Sequence, residues 1–246
     1  MPGVPFRVSG REDADVETSS DAYARRFEGA VGRFFLERQR DAVLDLVAPF
    51  PRARVLDVGG GHAQLTGPLV EAGYDVTVLG SDPACEARVR PWTDAGRARF
   101  VAADLVEPGI EALSFDVVLS LRLLPHVRRI DAVTATLARL ARRAVVVDYP
   151  TRRSVNAVSG LLFGLKHGVE GDTRPFRVFS DGEIEAAFAA HGLSPTGRRP
   201  QFLAPMALYR ALGSASVARG LEGAARALGL TSLLGSPVVL RLERRG

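Results

Sequence analysis

Three consecutive glycines are the first residues in this sequence that could serve chemistry. The apolar segment Val55–Val58 leads into Gly59, Gly60 and Gly61, and a helical pattern follows. Glycine tolerates a positive φ and lets a ligand approach the backbone closely. The pattern is not the dinucleotide motif G-x-G-x-x-G, because Gly61 is followed directly by His62, which argues against a pyrophosphate seated on the helix. The loop predicts a ligand site at the carboxyl end of a strand.

The elements around this loop alternate between strands and helices. Six apolar segments are predicted as strands: Arg54–Val58, Asp75–Leu79, Arg99–Ala103, Phe115–Leu121, Ala144–Tyr149 and Pro237–Glu243. Helical spacing or capping signals predict helices at Ala22–Val47, Leu65–Ala72, Pro83–Ala95, Ile130–Ala141, Asp181–His191 and, as two helices, within Met206–Leu234. Continuous apolar runs indicate strands that are buried on both faces, as in a parallel sheet covered by helices.

Length and composition favour one domain. The chain has 246 residues, of which 46% are hydrophobic, and α/β domains of about 250 residues need not split. Residues 1–20 mix Pro, Gly and charges without periodicity and predict a flexible segment. Residues 21–246 then form the domain, with cap elements at about 151–178 and 202–234.

Charge and cysteine content limit the function classes. The formal net charge is +4 and nearly every basic residue is Arg, with Lys166 the single Lys. This favours a solvated, Arg-rich surface over a polyanion site. Cys85 is the only cysteine, and there is no apolar run of the roughly 18 residues that a membrane span needs. We therefore expect a cytoplasmic protein.

The run Asp57-Val58-Gly59-Gly60-Gly61 resembles the first motif of class I S-adenosylmethionine (SAM)-dependent methyltransferases. The resemblance implies an enzyme with a Rossmann-like, mostly parallel seven-stranded sheet whose last strand is antiparallel. SAM would be the cofactor and S-adenosylhomocysteine (SAH) the product. Gly59 and Gly61 would pack against the methionine part of SAM, and Asp57 would orient the loop and the amino group. As an alternative, Asp57 only caps the loop.

The remaining cofactor residues follow from the same resemblance, with one departure. The acid that usually ends the second strand is replaced by Gly80, and Asp82 stands two residues later. Asp82 either binds the ribose hydroxyls or is the N-cap of the next helix, with Pro83 at the first helical position. Asp104 would accept the adenine amino group, with Leu105 beside the ring, although a turn aspartate is the alternative. Ser120 would line the cofactor.

Methyl transfer requires positioning and, for a hydroxyl acceptor, a base. His126 follows the fourth strand and is the candidate base; helix capping or packing is its alternative role. The resemblance extends to quinone-pathway O-methyltransferases, in which nearby glutamates hold a divalent metal. Arg122 and Pro125 stand in their place, so we expect no metal.

Acceptor contacts are predicted for Tyr23, Tyr149 and His167. The two caps are both apolar and basic, which favours a small, hydrophobic acceptor and, by preference, O-methylation. Methylation of nucleic acid or protein, and SAM binding without catalysis, stay as alternatives, although we expect no nucleic-acid partner. The amphipathic cap helices leave peripheral membrane contact open, and the oligomeric state is not fixed by the sequence.

Overall fold

A seven-stranded sheet forms the centre of the protein. The computed structural model describes residues 11–154 and 176–244. The strands are β1 (Arg54–Val58), β2 (Asp75–Gly80), β3 (Ala98–Ala102), β4 (Phe115–Ser120), β5 (Ala141–Tyr149), β6 (Leu193–Phe202) and β7 (Ser236–Arg244). Their order is β3-β2-β1-β4-β5-β7-β6. β1 to β5 are parallel, and β7 is antiparallel to both β5 and β6. This confirms the predicted Rossmann-like fold class.

Helices cover both faces of the sheet. In the described ranges they are α1 (Ala14–Thr18), α2 (Asp21–Ala24), α3 (Gly29–Val47), α4 (Thr66–Glu71), α5 (Arg90–Thr93), α6 (Ile130–Leu140), α7 (Asp181–Ala189), α8 (Met206–Leu212), α9 (Ala215–Ala227) and α10 (Leu230–Leu234). Short 3-10 turns occur at Arg25–Phe27, Gly60–His62, Pro83–Glu86 and Leu124–His126. None of the helices in the described ranges has the length and apolar composition that crossing a membrane requires.

The central strand β1 has two buried faces. Leu56 packs in the cluster that contains α6 and α7, whereas Val55 packs in the cluster that contains α3. Both side chains are fully buried. The continuous apolar pattern of the strand therefore has the predicted cause, which is a helix layer on each side. β1 lies between β2 and β4, so the carboxyl ends of these three strands meet beside the glycine loop.

β6 is a strand that the sequence patterns did not reveal. It contains Pro195 and Pro200, and proline weakens a strand prediction because it cannot donate a ladder hydrogen bond. β6 is the edge strand of the sheet and pairs only with β7 among the described strands. An edge position tolerates proline, which explains the miss.

The N-terminal segment differs from the flexible lead-in predicted for residues 1–20. Residues 1–10 lie outside the described ranges, but Ala14–Thr18 form a helix. Ala14 is 2% exposed and Asp15 is fully buried. Ala14 packs in the same cluster as Leu105 and Leu123. Tertiary burial, rather than hydrophobic periodicity, orders this segment.

The second cap element is built on aromatic packing. Phe34 and Phe35 of α3 form one cluster with Phe202, Tyr209 and other residues of the cap. The ring centroids of Phe35 and Phe202 are 4.1 Å apart. This cluster fixes the cap against the carboxyl edge of the sheet. In the first cap element, 151–178, residues 155–175 lie outside the described ranges.

Candidate active site

The glycine loop leaves β1 in a conformation that needs glycine. Gly59 has a φ of +75°, which residues other than glycine rarely adopt. Its N–H donates to the carbonyl of Leu79 at 2.8 Å, which ties the loop to β2. A Cβ at Gly60 would clash with the Asp57 carboxylate, and one at Gly61 would clash with the Ser19 hydroxyl. Other protein groups therefore occupy the Cβ positions of Gly60 and Gly61, and only glycine fits there without a shift of these groups.

Two polar groups at the strand ends are buried. Asp57 is 3% exposed, and burial raises the pKa of its carboxyl to about 7, while the charge of Arg122 acts in the opposite direction. Ser120 ends β4 fully buried, and its hydroxyl has no hydrogen-bond partner among the described residues. A buried hydroxyl without a partner is costly. Both groups are suited to a polar ligand at the loop.

The structure favours capping for Asp82. Its side chain is exposed and accepts the N–H of Ala84 at 2.8 Å, as the N-cap of the turn Pro83–Glu86. Asp104 holds its own turn by accepting the N–H of Val106 at 2.7 Å. Its other oxygen lies 3.3 Å from Arg11 Nε. Leu105, next in the chain, is 1% exposed.

Sequence reasoning missed Asp15, which reaches the end of β2. Its Oδ2 accepts the backbone N–H of Ser81 at 2.8 Å, directly after the Gly80 that replaces the usual acid. Burial raises the pKa of the Asp15 carboxyl. Asp15 belongs to a charged stretch without periodicity, so no sequence pattern marks it as a site residue.

An apolar pocket opens beside the glycine loop. Its volume is about 240 Å³. Its apolar wall comes from Tyr23, Phe27, Phe35, Leu36, Phe176, Phe202 and Met206, and its polar wall from Gln39, Arg122, His126, Asp148 and Gln201. Tyr23 and Arg122 also line the small cavity beside Asp57 and Gly59. The apolar pocket and the loop cavity therefore adjoin at these two side chains.

Arg122 is held at this position by a network of buried groups. Its Nε donates to Gln39 Oε1 at 3.0 Å, and its backbone N–H donates to Asp148 Oδ1 at 2.5 Å. Its guanidinium carbon lies 4.5 Å from the ring centroid of Phe27. Arg122 has a φ of +57°, and such strain in a non-glycine residue is typical of functional sites.

Asp148 completes this network from the end of β5. Its Oδ2 accepts from Gln39 Nε2 at 2.6 Å. Burial raises the pKa of the Asp148 carboxyl to about 6, against the hydrogen bond from the Arg122 backbone and the Arg122 charge, which lower it. The result is a fixed polar patch in an otherwise apolar pocket. Asp148 was not predicted as a site residue, because a single acid that ends a strand carries no distinctive spacing.

Of the residues predicted to contact the acceptor, Tyr23 lines the apolar pocket and Tyr149 does not. Tyr23 and His126 line the pocket, and the His126 ring lies 5.6 Å from that of Phe176. Tyr149 is fully buried and donates to Asp181 Oδ1 at 2.8 Å. This correction places Tyr149 in the packing between β5 and α7, because a tyrosine that ends a buried strand turns toward the covering helix. His167 lies outside the described residues.

Histidine and acidic side chains do not gather into a metal site in the described ranges. Within residues 11–154 and 176–244, no group of three or more His, Cys, Asp or Glu side chains could hold a metal ion. His62 lines the loop cavity. Burial, followed by the charges of Arg122 and Arg88, lowers the pKa of His62 to about 3, so its imidazole is neutral.

One named protein resembles this chain in sequence, and one solved structure resembles it in fold. A ubiquinone biosynthesis O-methyltransferase from Rhizobium etli is 26% identical over 168 residues, which cover 64% of this chain and 66% of that protein. This chain thus matches just under two thirds of that relative's length. Magnesium protoporphyrin IX methyltransferase from Synechocystis PCC 6803, solved with bound SAH, superposes with a TM-score of 0.65 at 16% identity, over 94% of this chain and 98% of that chain.

A third similarity is to an N-methyltransferase. The 1,6-didemethyltoxoflavin-N1-methyltransferase of Burkholderia thailandensis has a TM-score of 0.57 at 18% identity, over 94% of this chain and 85% of that chain.

The model of the methyltransferase domain family matches residues 23–211. The match includes the glycine loop, the strand ends and most of the apolar pocket. It confirms the predicted family and enzyme class and, with the family, SAM as the cofactor. The chain belongs to the methyltransferase domain family, and its fold is that of the class I SAM-dependent methyltransferases.

Proposed function

We propose that this protein transfers a methyl group from SAM to a hydroxyl oxygen of a small, hydrophobic molecule. The observation that carries the proposal is the apolar pocket, which shares Tyr23 and Arg122 with the cavity at the glycine loop. An acceptor in the pocket and a ligand on the loop would both border these two side chains, and the two molecules would therefore be neighbours. Methyl transfer needs this close approach of two bound molecules.

The glycine loop supports SAM as the donor. Gly59 and Gly61 would carry the methionine part, and Asp57 would face the amino group. Ser120, with its unpartnered buried hydroxyl, would line the same ligand. Bound there, SAM would supply an electrophilic methyl group.

The walls of the pocket support the acceptor class. Apolar and aromatic residues make up most of the lining of this pocket, whose volume of about 240 Å³ lies just below the range for ligand pockets, about 300–1,000 Å³. A ring-sized hydrophobic molecule suits this space better than a peptide or a nucleotide strand. Apolar lining with a few fixed polar groups is the usual design of a small-molecule site.

The polar patch supports an oxygen acceptor. A hydroxyl that loses its proton becomes negative, and the guanidinium of Arg122 is a fixed positive charge in the wall of the pocket. Preorganised charge of this kind stabilises a developing oxyanion. His126 lines the same pocket, and the free nitrogen of a neutral imidazole can take the proton. The name of the Rhizobium etli relative specifies O-methylation, which agrees with this choice.

The direct test is methyl transfer from isotopically labelled SAM to matched acceptors. Pairs of phenols and anilines with the same ring substituents would be incubated with the purified full chain, and the products identified by mass spectrometry. We expect labelled methyl ethers from the phenols. Labelled products from the anilines alone would contradict the oxygen preference, and no transfer to any acceptor by protein that binds SAH would favour a non-catalytic SAM-binding protein.

A further inference from the structure

The N-terminal segment, residues 11–19, lies on the same groups that the cofactor would use. At the glycine loop, a Cβ added to Gly59 would stand 3.4 Å from Asp15 Cβ, and one added to Gly61 would clash with the Ser19 hydroxyl. The segment therefore borders the Cβ positions of both glycines, together with Leu123 at Gly59 and the Cys85 carbonyl at Gly61. Gly59 and Gly61 are the residues to which the proposed function assigns the methionine part of SAM.

The segment also reaches the end of β2. Asp15 Oδ2 accepts the N–H of Ser81 at 2.8 Å and lies 3.5 Å from the Cys85 thiol. In the family, the end of this strand faces the ribose, and Gly80 leaves it without a carboxylate of its own. The space of a side chain at Gly80 is taken by Cys85 and Phe100, so the carboxylate at this strand end is that of Asp15, which is bound to the next backbone N–H.

The third contact is at the adenine end of the site. Arg11 Nε is 3.3 Å from Asp104 Oδ2, and Ala14 packs in the cluster of Leu105 and Leu123. Glu12 Oε2 accepts the N–H of Arg128 at 2.9 Å. The resemblance assigns the adenine amino group to Asp104 and the adenine ring to Leu105. In this structure Arg11 contacts Asp104 and Ala14 packs in the cluster of Leu105 instead.

What remains beside the loop is a cavity of about 20 Å³, less than a tenth of the roughly 300 Å³ at which ligand pockets begin. We propose that residues 11–19 are an internal occupant of the cofactor site and that SAM or SAH binds only after this segment has left it. The inference rests on the proposed function, because it takes the loop as the SAM site. The segment then acts as a gate that sets the apparent cofactor affinity.

Two features of residues 11–19 lower the stability of their docked state. Asp15 is fully buried, and its Oδ1 has no hydrogen-bond partner among the described residues. An unpartnered buried carboxylate oxygen weakens the docked state. The five residues of α1 make too short a helix to be stable by itself in water. Release breaks the contacts described above, but it rehydrates the Asp15 carboxylate and regains the conformational entropy of the segment.

Hydrogen–deuterium exchange of the full chain tests the displacement. SAH is added at a concentration that saturates the site, and peptides that cover residues 11–19 and 55–65 are followed. We expect exchange of the first peptide to rise and exchange of the second to fall. A fall in both peptides would overturn the proposal, because the segment would then close over the ligand instead of leaving.

Two substitutions in the segment give a second readout, the SAH dissociation constant. Ala14→Glu places a charge where Ala14 meets apolar side chains, so the docked state is lost, and no residue of the sheet is itself replaced. If nine in ten molecules are docked, the affinity for SAH should rise about tenfold. Val16→Ala is the matched control, because Val16 is 37% exposed on the same helix, and it should leave the affinity unchanged.

The outcomes separate this inference from the proposed function. Weaker or equal SAH binding by Ala14→Glu than by the wild-type chain contradicts the gate but keeps the SAM site. No SAH binding by either protein, both folded by circular dichroism, contradicts the SAM site itself.

Discussion

At the scale of single residues, Arg122 links the two halves of the site. It lines both the loop cavity and the apolar pocket, and its positive φ is stabilised by a backbone hydrogen bond to Asp148. Its role differs from that of a lysine, because the planar guanidinium donates to Gln39 through two nitrogens at once. The position of the positive charge is thus fixed before an acceptor binds.

Asp148 makes the stability of the protein depend on pH in a defined direction. Burial raises the pKa of its carboxyl to about 6 in the folded state, whereas the unfolded value is about 3.9. The folded state therefore binds the proton more tightly, and the stability contribution falls as pH rises from about 4 to about 6. The difference of about two units corresponds to about 3 kcal/mol.

Asp148→Asn should remove this dependence. The free energy of unfolding in urea, measured from pH 4 to pH 7, should rise relative to wild type as pH increases, by up to about 3 kcal/mol. Asp41→Asn, at an exposed position of α3, is the control and should track wild type. A constant difference between Asp148→Asn and wild type across this range would show that Asp148 does not titrate there.

His126→Ala tests the proton acceptor. The histidine lines the apolar pocket and not the loop cavity, so SAH affinity should stay within about twofold of wild type. Turnover of a phenolic acceptor should fall about 100-fold, the lower limit typical of a lost general base. Calorimetry gives the affinity and labelled methyl transfer the rate. Unaltered turnover would remove His126 from the mechanism.

At the scale of elements, the aromatic cluster between α3 and the cap forms part of the pocket. Phe202 is 3% exposed and contacts Phe34 and Phe35, whereas Phe176 is 65% exposed. Both side chains line the pocket. Phe202 therefore supports both the fold and the acceptor site, whereas Phe176 contributes chiefly to the acceptor site.

The pair Phe202→Ala and Phe176→Ala separates these roles. Phe202→Ala should lower the free energy of unfolding by about 3–5 kcal/mol, because it removes a buried ring and leaves a cavity. Phe176→Ala should cost less than about 1 kcal/mol and raise the KM for the acceptor. Equal losses of stability in the two variants would contradict the assignment of Phe202 to the core.

The elements that the sequence predicted best are those with regular apolar patterns. β1 to β5, β7 and α7 lie where apolar patterning and capping signals predict them. β6 was missed because its prolines are tolerated only at an edge, and α1 because burial by the rest of the chain, not its own periodicity, orders it. Asp148 and Asp15 gain their significance from partners 109 and 66 residues away, Gln39 and Ser81. No local pattern contains that information.

At the scale of the whole molecule, the strand order decides where chemistry can occur. From β1 the chain adds β2 and β3 on one side of the sheet and then β4 and β5 on the other, so the strand order reverses between β1 and β4. Open α/β sheets bind ligands at such a switch point. The glycine loop follows β1, Arg122 follows β4 and Asp148 lies at the end of β5. The cofactor and acceptor sites are therefore neighbours because of topology, although their residues are far apart in sequence.

The central claim is that the glycine loop binds SAM, and calorimetric titration of the wild-type chain with SAH tests it most directly. We predict about one site per chain with a Kd in the range of roughly 1 to 100 µM, about −8 to −5.5 kcal/mol. Gly59→Ala, which forces a side chain onto a φ of +75° beside the ligand face, should weaken binding at least tenfold. Binding that is absent from folded wild-type protein and from Ala14→Glu alike, or that Gly59→Ala leaves unchanged, would contradict the account.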